Sequence, residues 1–429
     1  MDKTVLIIAY YFPPVKGAAP WRPYSWCQYF GQQQLKTTVI TRHWQGFESN
    51  WAQMTAPNFE PPKVGIEKDY TLIQLPTKAW CLYTFYRNYL FKIPGLSALF
   101  FAFAAALGRF GLEVDAYTTF AAYLINHLKT NNYDAIVVTY PPSNLLKLLP
   151  LLRKHSRAKI IVDFRDWLNN EMLQHNYKPG IKQQYLNYCQ SCYAKKHLKF
   201  ADAVTVVTPA FTPLVQALYK GPVHLIYNGY EHELLASLSK QKQRKFTIAY
   251  IGNMYANMNM DLLLDGLQIF LKNKTHNIQV QFIGVASQQA MLQKINAFIP
   301  QPFLITTPML DKQEALQYTK NADVLLQFGW TDYNGIVGTK TFDYMASGNP
   351  ILLAPADVVM QQLFDKTNAG ITVSTTHLFV QALETWYDEW KQNGHIKWHT
   401  HLGVVETYSR KNQSNLMAAL IFETLNTPA

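Results

Sequence analysis

With 429 residues, 48% of them hydrophobic and 16% charged, the chain carries enough apolar material for more than one core; this excludes a disordered protein and favours two domains of roughly 200 residues. The net charge of +11 draws it toward anionic surfaces and ligands, yet no compact Lys/Arg block marks a nucleic-acid tail, and no nucleic-acid partner is expected. Cys27, Cys81, Cys189 and Cys192 are too few for a disulfide framework and fit a reducing compartment.

The first apolar run, 5–9, is too short for a signal peptide and reads as a buried strand. It leads into a loop, 10–20, whose small residues Gly17 and Ala18 permit close backbone approach to a ligand. Strands are predicted at 38–41 and 71–75. The segment 83–107 joins an aromatic and basic series (Tyr83, Phe85, Tyr86, Arg87, Tyr89, Phe91, Lys92) to an apolar stretch, 96–107, too short to span a bilayer core of about 30 Å. A core helix and an interfacial segment lying on an anionic membrane are both compatible with it. Helical patterns at 117–129 and 143–154 then alternate with strands at 135–139, 159–163, 203–207 and 223–227. Glu113-Val114-Asp115 reads as the capped first turn of a helix rather than a metal-binding Asp-x-Asp, so no catalytic metal is expected. Cys189 and Cys192, inside a helical stretch with no second pair, read as packing.

The polar run 231–245 is the predicted linker. It separates an N-terminal domain, 1–230, from a second domain, 246–404, with 405–429 completing the first. The second domain has strand patterns at 246–251, 280–283, 303–306, 324–327, 350–354 and 370–373, each followed by a helix candidate. His395, His399 and His401 lie in a polar loop without a paired carboxylate and read as solvated. The last segment, 404–425, reads as an amphipathic helix with Leu416, Ala419, Leu420 and Leu425 on its apolar face. Such alternation predicts α/β architecture: two Rossmann-like parallel-sheet domains facing a cleft, with ligands bound beyond the carboxyl ends of the strands.

The most informative motif follows strand 324–327. Gly335-Ile336-Val337-Gly338 opens a helix carrying Lys340 and Asp343, which a Gly-Asn-Pro stop ends at 348–350. Backbone N–H groups at the helix start and the Lys340 ammonium suit a diphosphate, because unpaired donors and the helix dipole favour an anion there. Asp343, a turn further on, suits the hydroxyls of a ribose. A nucleotide-sugar site is the resulting hypothesis, although Lys and Asp at this spacing also form ordinary surface pairs.

Six segments in order carry a family resemblance: Tyr10-Tyr11-Phe12-Pro13-Pro14, Thr139-Tyr140-Pro141-Pro142-Ser143, Asp163-Phe164-Arg165-Asp166-Trp167, Tyr227-Asn228-Gly229-Tyr230, the Gly252 loop, and Lys340-x-Phe342-Asp343-Tyr344-x-Ala346-Ser347-Gly348. Together they resemble the retaining glycosyltransferases of family four, which have the two-Rossmann GT-B fold, and within them the branch serving bacterial surface polysaccharides. The resemblance implies that the second domain binds a nucleoside diphosphate and the first shapes the acceptor side. The family's paired glutamates fall on Gly335 and Asp343 here, so the first carboxylate is missing. The basic residues that usually follow the Gly252 loop are replaced by Asn253, Met254, Asn257, Met258 and Asn259. Lys340 becomes the main cation for the diphosphate.

On this reading a hexose moves with retention from a nucleotide-diphosphate sugar to a glycan or lipid-linked acceptor, with no other cofactor, in a cytoplasmic protein, peripheral on the inner face of the cell membrane through 83–107. Lys340 and the amides of Gly335, Ile336, Val337 and Gly338 hold the diphosphate, and Gly252 and Asn253 lie beside it. Thr307 to Leu310 takes the base edge. Asp166 and Arg165 orient the sugar or acceptor hydroxyl, unless the 163–166 cluster is a structural ion pair. A nucleotide-sugar epimerase of the same fold and a catalytically inactive GT-B binding or scaffold subunit are the alternatives.

Overall fold

The computed structural model describes residues 2–427 except 16, 47, 49–52, 55, 79–80, 91–92, 94–95, 108–115, 168–179, 255–257, 259, 273, 275–276 and 330–334. The Glu113-Val114-Asp115 turn, Asn257 and Asn259 lie outside the described residues. The chain divides into two compact units, one formed by the described residues up to 227 together with 413–427, the other by 228–412.

The first unit is built on an eight-stranded sheet: β1 (Lys3–Ile8), β2 (Leu35–Arg42), β3 (Lys63–Ile66), β4 (Tyr70–Leu75), β5 (Ala135–Tyr140), β6 (Lys159–Phe164), β7 (Ala203–Val206) and β8 (Val223–Leu225), ordered β3-β4-β2-β1-β5-β6-β7-β8. All neighbours run parallel except β3 and β4. β5 is buried at every position, as a central parallel strand covered on both faces must be. β3 is the strand the sequence does not announce. Its Val64 and Ile66 are 60% and 88% exposed, so it lacks the buried alternation that marks a strand.

The Arg410–Asn426 helix completes this unit's core, placing Met417, Ala418, Leu420 and Ile421 against Val5, Ile7, Val137 and Ile161. The predicted apolar face is therefore rotated. Leu420 is buried and Leu425 partly so, but Leu416 is 50% exposed and Ala419 faces solvent. In the run Leu416-Met417-Ala418-Ala419-Leu420-Ile421 every position is apolar or small, and periodicity cannot set the phase.

Segment 83–107 forms a short helix, Cys81–Phe85, a π-helical turn, Tyr86–Leu90, and a helix, Leu96–Ala106. Tyr86 is buried, stacks on Phe100 at 4.2 Å and donates a 2.8 Å hydrogen bond to Ser97 Oγ. Phe85, Tyr89, Leu99 and Phe103 are each more than half exposed. The segment thus has a small buried seam and an uncovered apolar face. No helix among the described residues is long and apolar enough to cross a membrane.

The second unit has six parallel strands: β9 (Phe246–Ile251), β10 (Ile278–Ile283), β11 (Leu304–Thr307), β12 (Val324–Phe328), β13 (Ile351–Ala354) and β14 (Gly370–Thr372). Their order, β11-β10-β9-β12-β13-β14, is that of a doubly wound dinucleotide-binding sheet, and it reverses direction between β9 and β12. Residues 231–245, expected as a linker, fold onto this unit. They include the helix His232–Ala236, and Lys240 Nζ donates to Ala322 O at 3.1 Å and Asn349 Oδ1 at 2.8 Å. The polarity that suggests a tether is used in docking the segment.

Candidate functional site

At the β9/β12 crevice of the second unit, Gly252, Asn253 and Lys340 lie together. At the tip of β9 the chain turns through Gly252 at φ +112°, a conformation only glycine adopts without strain. The Thr339–Ser347 helix starts beside it, capped by Gly338 with no side-chain cap. Two hydrogen bonds fix that helix over the crevice. Tyr344 Oη accepts from Ile251 N at 2.7 Å, and Gln327 Nε2 on β12 donates to Thr341 Oγ1 at 2.8 Å.

Lys340, in the first turn, lies along Gly252. A Cβ placed on Gly252 would meet Lys340 Cε at 3.0 Å. The Lys340 amine reaches Tyr250 Oη at 2.5 Å and Asn253 O at 3.3 Å, and sits 4.2 Å from the Tyr250 ring centroid. Among the described residues no carboxylate pairs with it, and burial pushes its pKa down to about 7. A cation held in an apolar and aromatic seat without an anion is poised to gain one. Asn253 is drawn in on both sides: its carbonyl accepts from Tyr250 Oη at 2.6 Å, its side-chain oxygen from Gln288 Nε2 at 3.2 Å.

The remaining expected contacts are more occupied. Gly335, at φ +79°, donates its amide to Asp357 Oδ2 at 3.2 Å, so the amide expected on a diphosphate anchors the loop instead. Asp357 also caps the Val358–Thr367 helix through Met360 N. Val337 is buried, Ile336 half-buried and Gly338 exposed. Thr307 accepts from Gly284 N at both its carbonyl and its hydroxyl, which ties β10 to β11; Leu310 is half-buried. Asp343 pairs with Lys312, 2.5 Å from Oδ2.

Tyr250, Gly284, Gln288, Lys312 and Asp357 escape sequence reasoning. Gly284, which follows a predicted strand end and has φ +95°, carried a usable signal. Tyr250 reads as core, and the others have no local mark.

Gly17, Ala18, Arg165 and Asp166 belong to the first unit. Gly17 and Ala18 are exposed, Gly17 at φ +107°. Arg165 Nη1 donates to Ala19 O at 3.0 Å and its guanidinium lies 5.4 Å over the Tyr11 ring. Tyr11 stacks on Trp44 at 5.8 Å, and the Arg42 guanidinium lies over the Trp44 ring, 4.3 Å from its centroid. Asp163 does not pair with Arg165. It is wholly buried, takes Arg22 Nε and Nη2 at 2.8–3.1 Å and accepts from Thr205 Oγ1 at 2.6 Å. Within the 163–166 cluster the structural reading therefore holds for Asp163, while the Asp166 carboxylate is exposed at the tip of β6.

No family model matches the chain, and no curated relative matches it. Solved structures do, over its whole length. Sucrose-phosphate synthase from Thermosynechococcus elongatus aligns at 15% identity and a TM-score of 0.62, covering 98% of this chain and 99% of that one. Trehalose-6-phosphate synthase from E. coli, bound with UDP-2-fluoro glucose, aligns at 12% and 0.61, covering 99% of each. Anabaena HepE in complex with UDP aligns at 13% and 0.58, covering 98% and 100%. These neighbours are GT-B glycosyltransferases, and the likeness establishes that this chain has the GT-B fold of two Rossmann-like units.

Proposed function

We propose that the protein is a retaining glycosyltransferase of family-four type that moves a hexose from a nucleoside-diphosphate sugar to a glycan or lipid-linked acceptor in the assembly of a cell-surface polysaccharide. The observation that carries this reading is the Lys340 amine, lodged against Gly252 at the switch point of a doubly wound sheet with no carboxylate paired to it among the described residues. UDP, ADP and a UDP-glucose analogue are the ligands named for structures of the same fold.

In this mechanism Lys340 and the start of its helix take the charge that develops on the departing diphosphate, which is electrostatic stabilisation rather than covalent catalysis. The bond from the anomeric carbon to the diphosphate oxygen breaks and the bond to the acceptor oxygen forms on the same face. The acceptor proton passes to the leaving phosphate, and no side chain has to act as nucleophile. Asp343 holds the ribose and the 307–310 loop the base. Asp166 orients a hydroxyl of the sugar or acceptor, with Arg165 shaping the loop at Ala19.

The test is release of nucleoside diphosphate from a panel of UDP-, ADP- and GDP-sugars in the presence of acceptor. Lys340→Met should cut turnover about 10- to 150-fold, the worth of a charge-assisted hydrogen bond; unchanged turnover would refute the assignment. Gly335, where the family carries a glutamate, favours a second reading, a nucleotide-binding subunit without turnover. Tight nucleotide binding with no release from any sugar would select it.

The reading places the enzyme on the inner face of the membrane, where the exposed Leu99 and Phe103 enter the interface of anionic lipid. Co-sedimentation with phosphatidylglycerol vesicles, lost in Leu99→Asp/Phe103→Asp, supports this; equal recovery of both proteins with the vesicles opposes it.

A further inference from the structure

Asp343 lies three residues beyond Lys340 on the same helix, a rise of about 4.5 Å. Of its two oxygens, Oδ2 is held by Lys312 Nζ at 2.5 Å, whereas Oδ1 accepts no hydrogen bond among the described residues. Lys312 is the first residue of the Lys312–Asn321 helix, which Asp311 caps and which begins directly after the 307–310 loop. Asp343 is 14% exposed at its side chain and Lys312 36%, so the pair borders solvent.

We infer that Lys312 is a positioning residue for nucleoside recognition: it clamps one Asp343 oxygen so that the other presents a fixed acceptor to the ribose hydroxyls. This rests on the nucleotide-sugar reading of the same crevice and adds a residue to it. Two physical consequences follow from the pairing. A carboxylate held at one oxygen loses its rotational freedom, so its selectivity between hydroxyl patterns rises. A carboxylate one turn from a bound diphosphate also repels it, and the Lys312 ammonium offsets that charge. A purely structural ion pair between two helices would provide neither; it would only contribute to stability.

The test compares wild type with K312M, K312R, D343N and K312M/D343N. Binding of UDP, ADP, GDP, CDP and dTDP is measured calorimetrically, and the best ligand is then replaced by its 2′-deoxy and 3′-deoxy counterparts, with thermal melts run in parallel. Wild type should lose about tenfold or more in affinity when the hydroxyl read by Asp343 is removed, K312M should reduce that ratio to about threefold or less, and K312R should restore it. The double variant should discriminate no worse than D343N, since both changes break one unit. K312M that melts earlier but keeps the wild-type ratio overturns the inference and leaves the nucleotide reading standing. Wild type that binds none of the diphosphates overturns both.

Discussion

Raising the pH from 6 to 8 should weaken donor binding by about an order of magnitude through Lys340 alone. Burial leaves this amine with a pKa of about 7 in the unliganded protein. A bound diphosphate favours the ammonium and returns the pKa toward that of an ordinary lysine. If only the charged form binds, the apparent dissociation constant scales as one plus ten to the power of the difference between pH and 7. That factor is about 1.1 at pH 6 and about 11 at pH 8, a tenfold change equivalent to about 1.4 kcal/mol. A nucleotide sugar is the ligand to use, because its diphosphate is a diester that does not titrate in this range. Calorimetry in buffers of different ionisation enthalpy should find about 0.1 proton taken up per binding event at pH 6 and about 0.9 at pH 8. Lys340→Arg, which stays charged, should bind with a flat pH profile, and Lys340→Met should be weak throughout. Affinity and proton uptake that do not change with pH in the wild type would refute the argument.

The same depressed pKa predicts a stability effect of the opposite sign to a salt bridge. Unfolding restores the amine to its ordinary value of 10.5, so below pH 7 the fold carries the whole desolvation penalty, bounded at about 5 kcal/mol, which fades as pH rises to 10.5. Lys340→Met should therefore raise the unliganded Tm at pH 7 and lose that advantage by pH 10.5. Gly252→Ala puts a methyl 3.0 Å from Lys340 Cε at φ +112°, and should abolish nucleotide binding in a titration while the protein remains folded by circular dichroism. Arg22→Met strands the buried Asp163 carboxylate and should cost about 3–5 kcal/mol in urea unfolding. Asp357→Ala removes both the cap on Met360 N and the anchor on Gly335 N, and should cost about 1–2 kcal/mol and weaken donor binding together.

The central strands are legible in the sequence because burial on both faces leaves only one kind of residue acceptable there. β9 and β13 are buried at every position and stand out as short apolar runs. Edges are illegible for the complementary reason. β3 faces water, pairs on one side, and carries Val64 and Ile66 without any burial to justify them. Lys340 could be found because a glycine-broken loop, a helix start and a lysine are local to one another. Tyr250, which cradles that lysine, lies 90 residues upstream within a buried strand, where a tyrosine reads only as core. The Asp163–Arg22 pair shows the same limit, since its partners are 141 residues apart and nothing near Asp163 distinguishes it from Asp166.

The dependence of the N-terminal sheet on the Arg410–Asn426 helix has a cost during synthesis. Val5, Ile7 and Val137 share one hydrophobic core with Met417 and Ile421, and those last two residues emerge from the ribosome only after the whole of 228–412 has been made. At roughly 5–20 residues per second that interval is on the order of 10–40 s. Throughout it the nascent sheet lacks the apolar cover that Met417, Ala418, Leu420 and Ile421 contribute, and that face meets water until its own tail arrives to seal it.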